Sequence, residues 1–120
     1  MSAHNYLQAS KHYEIALRGQ PQDGDTHYNL ALVYHHHLHE YDRALNHYTQ
    51  ALRANPRDAE AHYNLALLYH TGLCSMEKAR GEYETALRID PNHKGADQRL
   101  CEVIAALELS PPGPEDGTTL

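Results

Sequence analysis

The residues with the clearest potential for chemistry are four histidines in one short stretch, His35, His36, His37 and His39. On a helix, His35 and His39 would lie one turn apart and could bind a divalent metal ion together. A structural zinc site needs about four ligands, however, and the sequence places no cysteine or carboxylate to complete the set. We therefore favour solvated imidazoles at the end of a helix over a metal site.

No other group of residues predicts catalysis. The sequence contains no Gly-rich phosphate loop, no nucleophile elbow and no His-Glu-x-x-His motif. Two cysteines are too few for a disulfide framework. They also occupy different parts of the repeat, Cys74 in a predicted loop and Cys101 at a small packing position of a predicted helix. We therefore expect a protein that is not an enzyme, has no cofactor and keeps its thiols reduced in the cytoplasm.

Charge and hydropathy narrow the class of partner. The formal net charge is -6, from 16 acidic and 10 basic residues that are spread along the chain. Without a run of Lys and Arg, the sequence favours neither nucleic acid nor a membrane surface. No apolar stretch approaches the roughly 20 residues that span a bilayer, and no apolar signal region follows Met1. Other proteins are the expected partners. Protonation of the 11 histidines would reverse the net charge, which gives a hypothesis of pH response.

The elements that position these residues follow from a repeat. Pro21, Pro56 and Pro91 stand at an interval of 35 residues. The residues before each proline repeat with them, as Ala9/Ala44/Ala79, Tyr13/Tyr48/Tyr83 and Ala16/Ala51/Ala86. Such a period is typical of an array in which one supersecondary unit is copied and buries its apolar face against a neighbour.

Each copy has the pattern of a helical hairpin. In the second copy, His27, Leu30, Ala31 and Tyr34 share one face of a helix, which we term the A helix. A second helical pattern, termed the B helix, follows it and stops before Pro56, because proline disfavours helix in the residue before it.

The sequence thus predicts an all-α solenoid with the helix order B, A-B, A-B, A. The predicted units are a lone B helix at 3–19, hairpins at 25–56 and 60–91, a capping A helix at 94–109 and a disordered tail at 110–120. Because the array starts in mid-repeat, we expect a fragment or short isoform of a longer protein, or a surface closed by another chain. Self-association would then use Ala9, Tyr13 and Ala16 of the first helix.

The two full copies resemble the tetratricopeptide repeat. The resemblance is carried by His27-Tyr28-Asn29-Leu30-Ala31-Leu32-Val33-Tyr34, then Ala44, Tyr48, Ala51 and Pro56, and by the same set from His62 to Pro91. His27 and His62 replace the usual Trp, and each copy has one extra residue between its helices, which we expect in the loop. The resemblance implies a right-handed superhelix whose concave groove is lined mainly by A helices.

The resemblance also implies a candidate peptide-binding groove on the A helices. Its predicted residues are Asp25, Tyr28, Asn29, Leu32, His35, Glu60, Tyr63, Asn64, Leu67, His70, Gln98, Arg99 and Glu102. The amides of Asn29 and Asn64, one repeat apart, could bind successive peptide groups of an extended ligand. Alternatively, the tyrosines and leucines only pack adjacent A helices together, and the asparagines are polar surface residues.

We therefore predict an interaction module or scaffold that binds a peptide segment or helix of a partner protein. Relatives that bind a chaperone's C-terminal carboxylate use Lys, Asn and Arg, whereas this chain has Asp25, Tyr28, Glu60 and Tyr63 at several of those places. A basic or neutral polar ligand is therefore favoured. Two alternatives are the targeting or regulatory portion of a larger enzyme, and self-association through the first helix.

Overall fold

The computed structural model describes residues 3–109, and within them it confirms the all-α solenoid and its helix order. The α-helices are α1 (Ala3–Gly19), α2 (Gly24–Leu32), α3 (Tyr41–Ala54), α4 (Ala59–Leu67), α5 (Met76–Ile89) and α6 (Lys94–Leu109). The A helices are α2, α4 and α6, and the B helices are α1, α3 and α5. The predicted tail at 110–120 lies outside the described residues.

Aspartates set the starts of the A helices in the two hairpins. The Asp23 side chain accepts hydrogen bonds from the backbone N–H groups of Asp25 and Thr26, and Asp58 accepts one from Ala61 at 3.2 Å. These bonds satisfy N–H groups that a helix leaves free in its first turn. The B helices α3 and α5 end just before the Asn55-Pro56 and Asp90-Pro91 steps, as the sequence predicts.

Small and aromatic side chains alternate inside each hairpin. Ala44, Tyr48 and Ala79 are fully buried, and so are Leu30 and Ala31 of the facing A helix. The alanines allow the two helices to approach closely, and the tyrosine ring fills the space that remains. The predicted hairpin register is therefore the one that the structure has.

The extra residue of each copy lies in a π-helical turn, which corrects the prediction that it lengthens the loop. The A helices α2 and α4 each continue directly into a π segment, at Val33–Leu38 and Leu68–Gly72. In the second segment, the Leu73 N–H donates to the Leu68 carbonyl five residues earlier, at 2.9 Å. A π turn accommodates one residue more than an α turn, so the helix absorbs the insertion.

The chain leaves each π segment through a left-handed residue. His39 and Cys74, at equivalent positions, have φ angles of 54° and 53°. This conformation is sterically costly for residues other than glycine, and here it turns the chain towards the B helix.

The histidines at the usual Trp position connect helices by hydrogen bonds. His27 Nε2 lies 2.8 Å from the Pro21 carbonyl, and its Nδ1 lies 3.0 Å from His47 Nδ1. His62 makes the equivalent contacts, with Pro56 O at 2.9 Å and Glu82 Oε1 at 2.7 Å. A ring with two polar atoms thus replaces the larger indole and links the A helix to the B helix.

The α1 helix is attached to the rest of the array through Leu17 and Glu14. Leu17 is buried in the core that α2, α3 and α4 share. The Tyr34 hydroxyl donates to Glu14 Oε2 at 2.8 Å.

At the other end of the array, on α6, Cys101 is exposed, which corrects the prediction that it fills a packing position. Among residues 3–109, no helix is long and apolar enough to cross a membrane.

Candidate functional site

We term the predicted binding residues on α2, α4, α6 and the two π segments the A-helix face, and these residues differ in exposure. Five side chains are exposed: Asp25, Asn29, Glu60, Gln98 and Glu102. Six are half-buried: Tyr28, Leu32, Tyr63, Leu67, His70 and Arg99. His35 and Asn64 are buried. The exposed members are all polar or charged.

Asn64 connects two neighbouring A helices. Its side-chain amide donates to the Tyr28 hydroxyl at 2.9 Å and to the Glu60 carbonyl at 3.0 Å. The His36 ring lies 3.4 Å from the Asn64 amide oxygen, and only 8% of Asn64 is exposed. Its hydrogen-bonding groups are therefore engaged within the protein.

One repeat further on, Arg99 takes the position of Asn64 and hydrogen-bonds to Tyr63, which raises the pKa of the guanidinium. Arg99 also donates to Glu102 at 3.3 Å. The tyrosine of each A helix thus contacts a polar side chain of the next A helix. Asn29, on the first A helix of the array, is exposed, so the two asparagines of the prediction lie in different environments.

His35 and His70 bond inside their hairpins, so the expectation that both lie outside the hairpin contacts is wrong. His35 Nδ1 lies 2.9 Å from the Tyr48 hydroxyl, and His70 Nδ1 lies 3.1 Å from the Tyr83 hydroxyl. Only 5% of His35 is exposed. Burial, with smaller contributions from His36 and His39, lowers the pKa of His35 to about 4, so this ring is neutral at pH 7.

The tyrosines and leucines of the A-helix face also have a packing role. Tyr28 and Leu32 lie against the core of the first hairpin, and Tyr63 and Leu67 lie against that of the second. A Cβ atom at Gly95 would stand 3.0 Å from the Tyr63 hydroxyl oxygen, so the glycine allows α6 to approach this ring. These contacts support the packing alternative for the four apolar and aromatic side chains.

An acidic cavity adjoins the exposed residues. It has a volume of about 200 Å³ and lies where the start of α2 meets the end of α3 and the start of α4. Asp23, Asp25, Asp58 and Tyr28 are among its lining residues. Burial, together with the charges of Glu60 and Asp58, raises the pKa of Tyr28, which keeps its hydroxyl protonated. The cavity suits a positively charged group.

Sequence reasoning missed three residues here, although a signal for them exists. Asp23 and Asp58 occur 35 residues apart, and His93 follows at the same interval. His93 also caps a helix, since its Nδ1 accepts from the Ala96 N–H at 3.0 Å. Its ring packs on Tyr63, with 4.6 Å between centroids, and bonds to Glu60. Extending the repeat into the helix caps would have identified all three.

The four clustered histidines do not all point in the same direction. His35 points into the hairpin, whereas His36, His37 and His39 are exposed, and the His37 ring stacks on Tyr6 at 3.6 Å between centroids. Across residues 3–109, no group of three or more His, Cys, Asp or Glu side chains is arranged to hold a metal ion.

Comparison with known proteins agrees with this geometry. The family model for the tetratricopeptide repeat matches residues 38–94. The first such domain of Spaghetti (RPAP3), solved with the HSP90 peptide SRMEEVD, is similar with a TM-score of 0.82 and 23% identity, over 88% of this chain and 82% of that one. The first domain of human RPAP3 has a TM-score of 0.79 and 23% identity, over 86% and 80% of the two chains.

A bacterial structure is similar at slightly higher identity. MamA from Desulfovibrio magneticus RS-1 has a TM-score of 0.80 and 25% identity, over 88% of this chain and 58% of that one. No curated protein sequence matches the chain. These similarities concern the fold of the helical array.

Proposed function

We propose that this chain, whose residues 38–94 match the tetratricopeptide repeat model, is a protein-interaction module and that its A-helix face binds an extended peptide segment of a partner protein. The proposal rests on one observation, which is that some residues of this face join the A helices and others are exposed. Tyr28, Asn64 and Tyr63 hold the A helices together, while exposed polar side chains lie beside them. A rigid face with free polar groups can bind a ligand with little loss of conformational entropy.

Asn29 is the residue best placed to read a peptide backbone. Its exposed amide can donate to a peptide carbonyl and accept from a peptide N–H at the same time. It lies one residue after Tyr28, which lines the acidic cavity. A bound segment would therefore contact Asn29 with its backbone and place a side chain towards the aspartates.

The charge of the face favours a basic ligand. Asp25 and Asp58 line the cavity, Glu60 is exposed, and the whole chain has a formal charge of -6. Arg99, the basic member of the face, is engaged with Tyr63 and Glu102. The RPAP3 domain was solved with a peptide that contains three acidic residues and one Arg. We propose that this chain prefers a ligand of opposite charge.

The test compares two fluorescently labelled peptides in an equilibrium anisotropy titration. One is SRMEEVD, and the other carries Lys in place of its two Glu and its Asp. We expect the lysine peptide to bind at least about ten-fold more tightly, which corresponds to 1.4 kcal/mol, and to weaken as salt increases. Tighter binding of SRMEEVD would contradict the proposal.

Single substitutions locate the contact. Asp25→Asn and Asn29→Ala should each weaken the lysine peptide, because both side chains are exposed beside the cavity. Glu84→Gln is the matched control, since it also removes one exposed negative charge but lies on the B helix α5. Equal weakening by the control and by Asp25→Asn would mean that only net charge matters and that the face is not the site.

Two further roles remain compatible with this surface. The module could be the targeting or regulatory portion of a larger enzyme, in which case the chemistry resides in another domain. It could also self-associate through Ala9, Tyr13 and Ala16, which are more exposed than their equivalents in α3 and α5. The free thiols of Cys74 and Cys101 suit the cytoplasmic location that we propose.

A further inference from the structure

The first helix exposes a face that the other B helices bury. In α5 the repeating alanine, tyrosine and alanine, Ala79, Tyr83 and Ala86, are fully buried against an A helix. In α1 the equivalent Ala9 and Tyr13 are only half-buried, and Ala16 is exposed. The α1 helix therefore retains the side-chain pattern of a hairpin contact without the burial that accompanies it.

The last helix shows the converse. In α4, Leu65 and Ala66 are buried, and Ala66 shares the core of the second hairpin with Ala79 and Tyr83 of α5. Their equivalents one repeat later are Leu100, which is half-buried, and Cys101, which is exposed. The α6 helix thus has the contact residues of an A helix and leaves them partly open to solvent.

We propose that α6 of one copy packs against α1 of a second copy, so that the two helices complete between chains the A–B hairpin that α2–α3 and α4–α5 form within one chain. We choose a second copy as the partner because α1 has the contact pattern of a B helix and α6 has that of an A helix. In both intact hairpins, a small residue of the A helix shares a core with an alanine and a tyrosine of the B helix, as Ala31 does with Ala44 and Tyr48 and Ala66 does with Ala79 and Tyr83. Small residues and a tyrosine stand at the equivalent positions of α6 and α1, at Cys101 and at Ala9 and Tyr13.

A charge pair supports this choice of partner. In the second hairpin His62 of the A helix contacts Glu82 of the B helix at 2.7 Å, and the first hairpin pairs His27 with His47 at 3.0 Å. The same register places Asp97 of α6 opposite His12 of α1, and both are exposed in the single chain. The contact between chains would again join an imidazole to a carboxylate, with the two sides exchanged.

The proposed interface joins two different surfaces, so it does not close in a dimer. Each added copy presents a free α1 or a free α6, and the array extends head to tail. This contact uses neither Asp25 nor Asn29, so it is independent of the proposed peptide-binding function. A symmetric contact between two α1 helices is the competing arrangement, and it would give dimers only.

Sedimentation of two blocked variants of the full chain separates these arrangements. Ala16→Glu blocks the α1 face and Cys101→Glu blocks the α6 face, and both residues are exposed, so the fold should be retained. Tyr13 is less suitable because its ring also packs against the core. Thermal unfolding of each variant checks that it is folded.

We expect the wild-type chain to form increasingly large species as its concentration rises towards about 1 mM. Each variant alone should remain monomeric, and an equimolar mixture should form a dimer and nothing larger, because one intact α1 face then meets one intact α6 face. A wild-type chain that is monomeric throughout would overturn the proposal. So would dimers of Cys101→Glu alone, which would indicate the symmetric contact.

A charge reversal tests the register. Asp97→Arg should weaken association of the wild-type chain by about five-fold, and adding His12→Glu should restore it. Asp42→Arg, the same reversal at an exposed residue of α3, is the control and should have no effect. If Asp97→Arg behaves like the control, or if His12→Glu fails to restore association, the proposed pairing is wrong.

Discussion

Replacing Tyr48 by Phe removes one hydroxyl from the centre of the first hairpin. The Tyr48 side chain is fully buried, and its hydroxyl lies 2.9 Å from Nδ1 of His35, which is itself 5% exposed. The substitution therefore removes a hydrogen bond and leaves a ring nitrogen in a place that water does not reach. Leaving a buried polar atom without a partner costs about 1–3 kcal/mol, and we expect the free energy of unfolding to fall by that amount.

The chain provides its own control in the second hairpin. Tyr83 is equally buried, and its hydroxyl lies 3.1 Å from His70 Nδ1, but the His70 ring is half-exposed. Water can replace the lost hydroxyl there, so Tyr83→Phe should cost less than about 1 kcal/mol. The two substitutions delete the same atom and differ in the hydration of the histidine.

Urea unfolding at pH 7, followed by circular dichroism, measures both costs under conditions in which His35 is neutral. The expected result is a clearly larger loss for Tyr48→Phe, with unchanged dependence on urea concentration. Equal losses would show that burial of the histidine does not determine the cost. No loss for Tyr48→Phe would show that the hydroxyl and the imidazole do not stabilise the hairpin.

Three further predictions concern stability. Because folding lowers the pKa of His35 from 6.5 to about 4, the unfolded chain binds more protons between these values. The free energy of unfolding should therefore fall by about 2 kcal/mol from pH 7 to pH 5 in urea titrations, and His35→Gln should reduce this slope. Asn64→Ala should cost about 1–2 kcal/mol and Asn29→Ala less than about 0.5 kcal/mol, so equal losses would contradict their different burial. Ala44→Leu should overpack the hairpin and cost about 1–3 kcal/mol, and a variant that melts like wild type would refute the hairpin register.

Much of the fold is predictable because the repeat imposes the same packing problem twice. A small residue at Ala44 and at Ala79, with Tyr48 between the alanines of one helix, already indicates which face meets the A helix. The π segments are not predictable in this way. One extra residue between Tyr34 and Ala44 has the same appearance in the sequence whether a loop or a helical turn absorbs it. The contact between His35 and Tyr48 in the folded hairpin favours the helical turn over the loop.

The candidate site shows where periodic reasoning ends. Asn29 and Asn64 occupy the same position of the repeat, and the sequence therefore treats them alike. Asn64 hydrogen-bonds to Tyr28 of the preceding A helix, whereas Asn29 lies on the first A helix and is exposed. The position of a repeat within the array, and not its sequence alone, decides which polar groups are free.

A two-dimensional ¹⁵N–¹H NMR titration with the lysine-substituted peptide shows directly whether the A-helix face binds a peptide. The backbone signals that shift should belong mainly to α2, α4 and α6, centred on Asp25 and Asn29 and extending to Glu60 and Gln98. Signals from the B helices α1 and α5 should stay in place, and those from α3 should shift only at its end, which borders the acidic cavity. Shifts that cluster on the B helices, or a spectrum unchanged at saturating peptide, would contradict binding at this face.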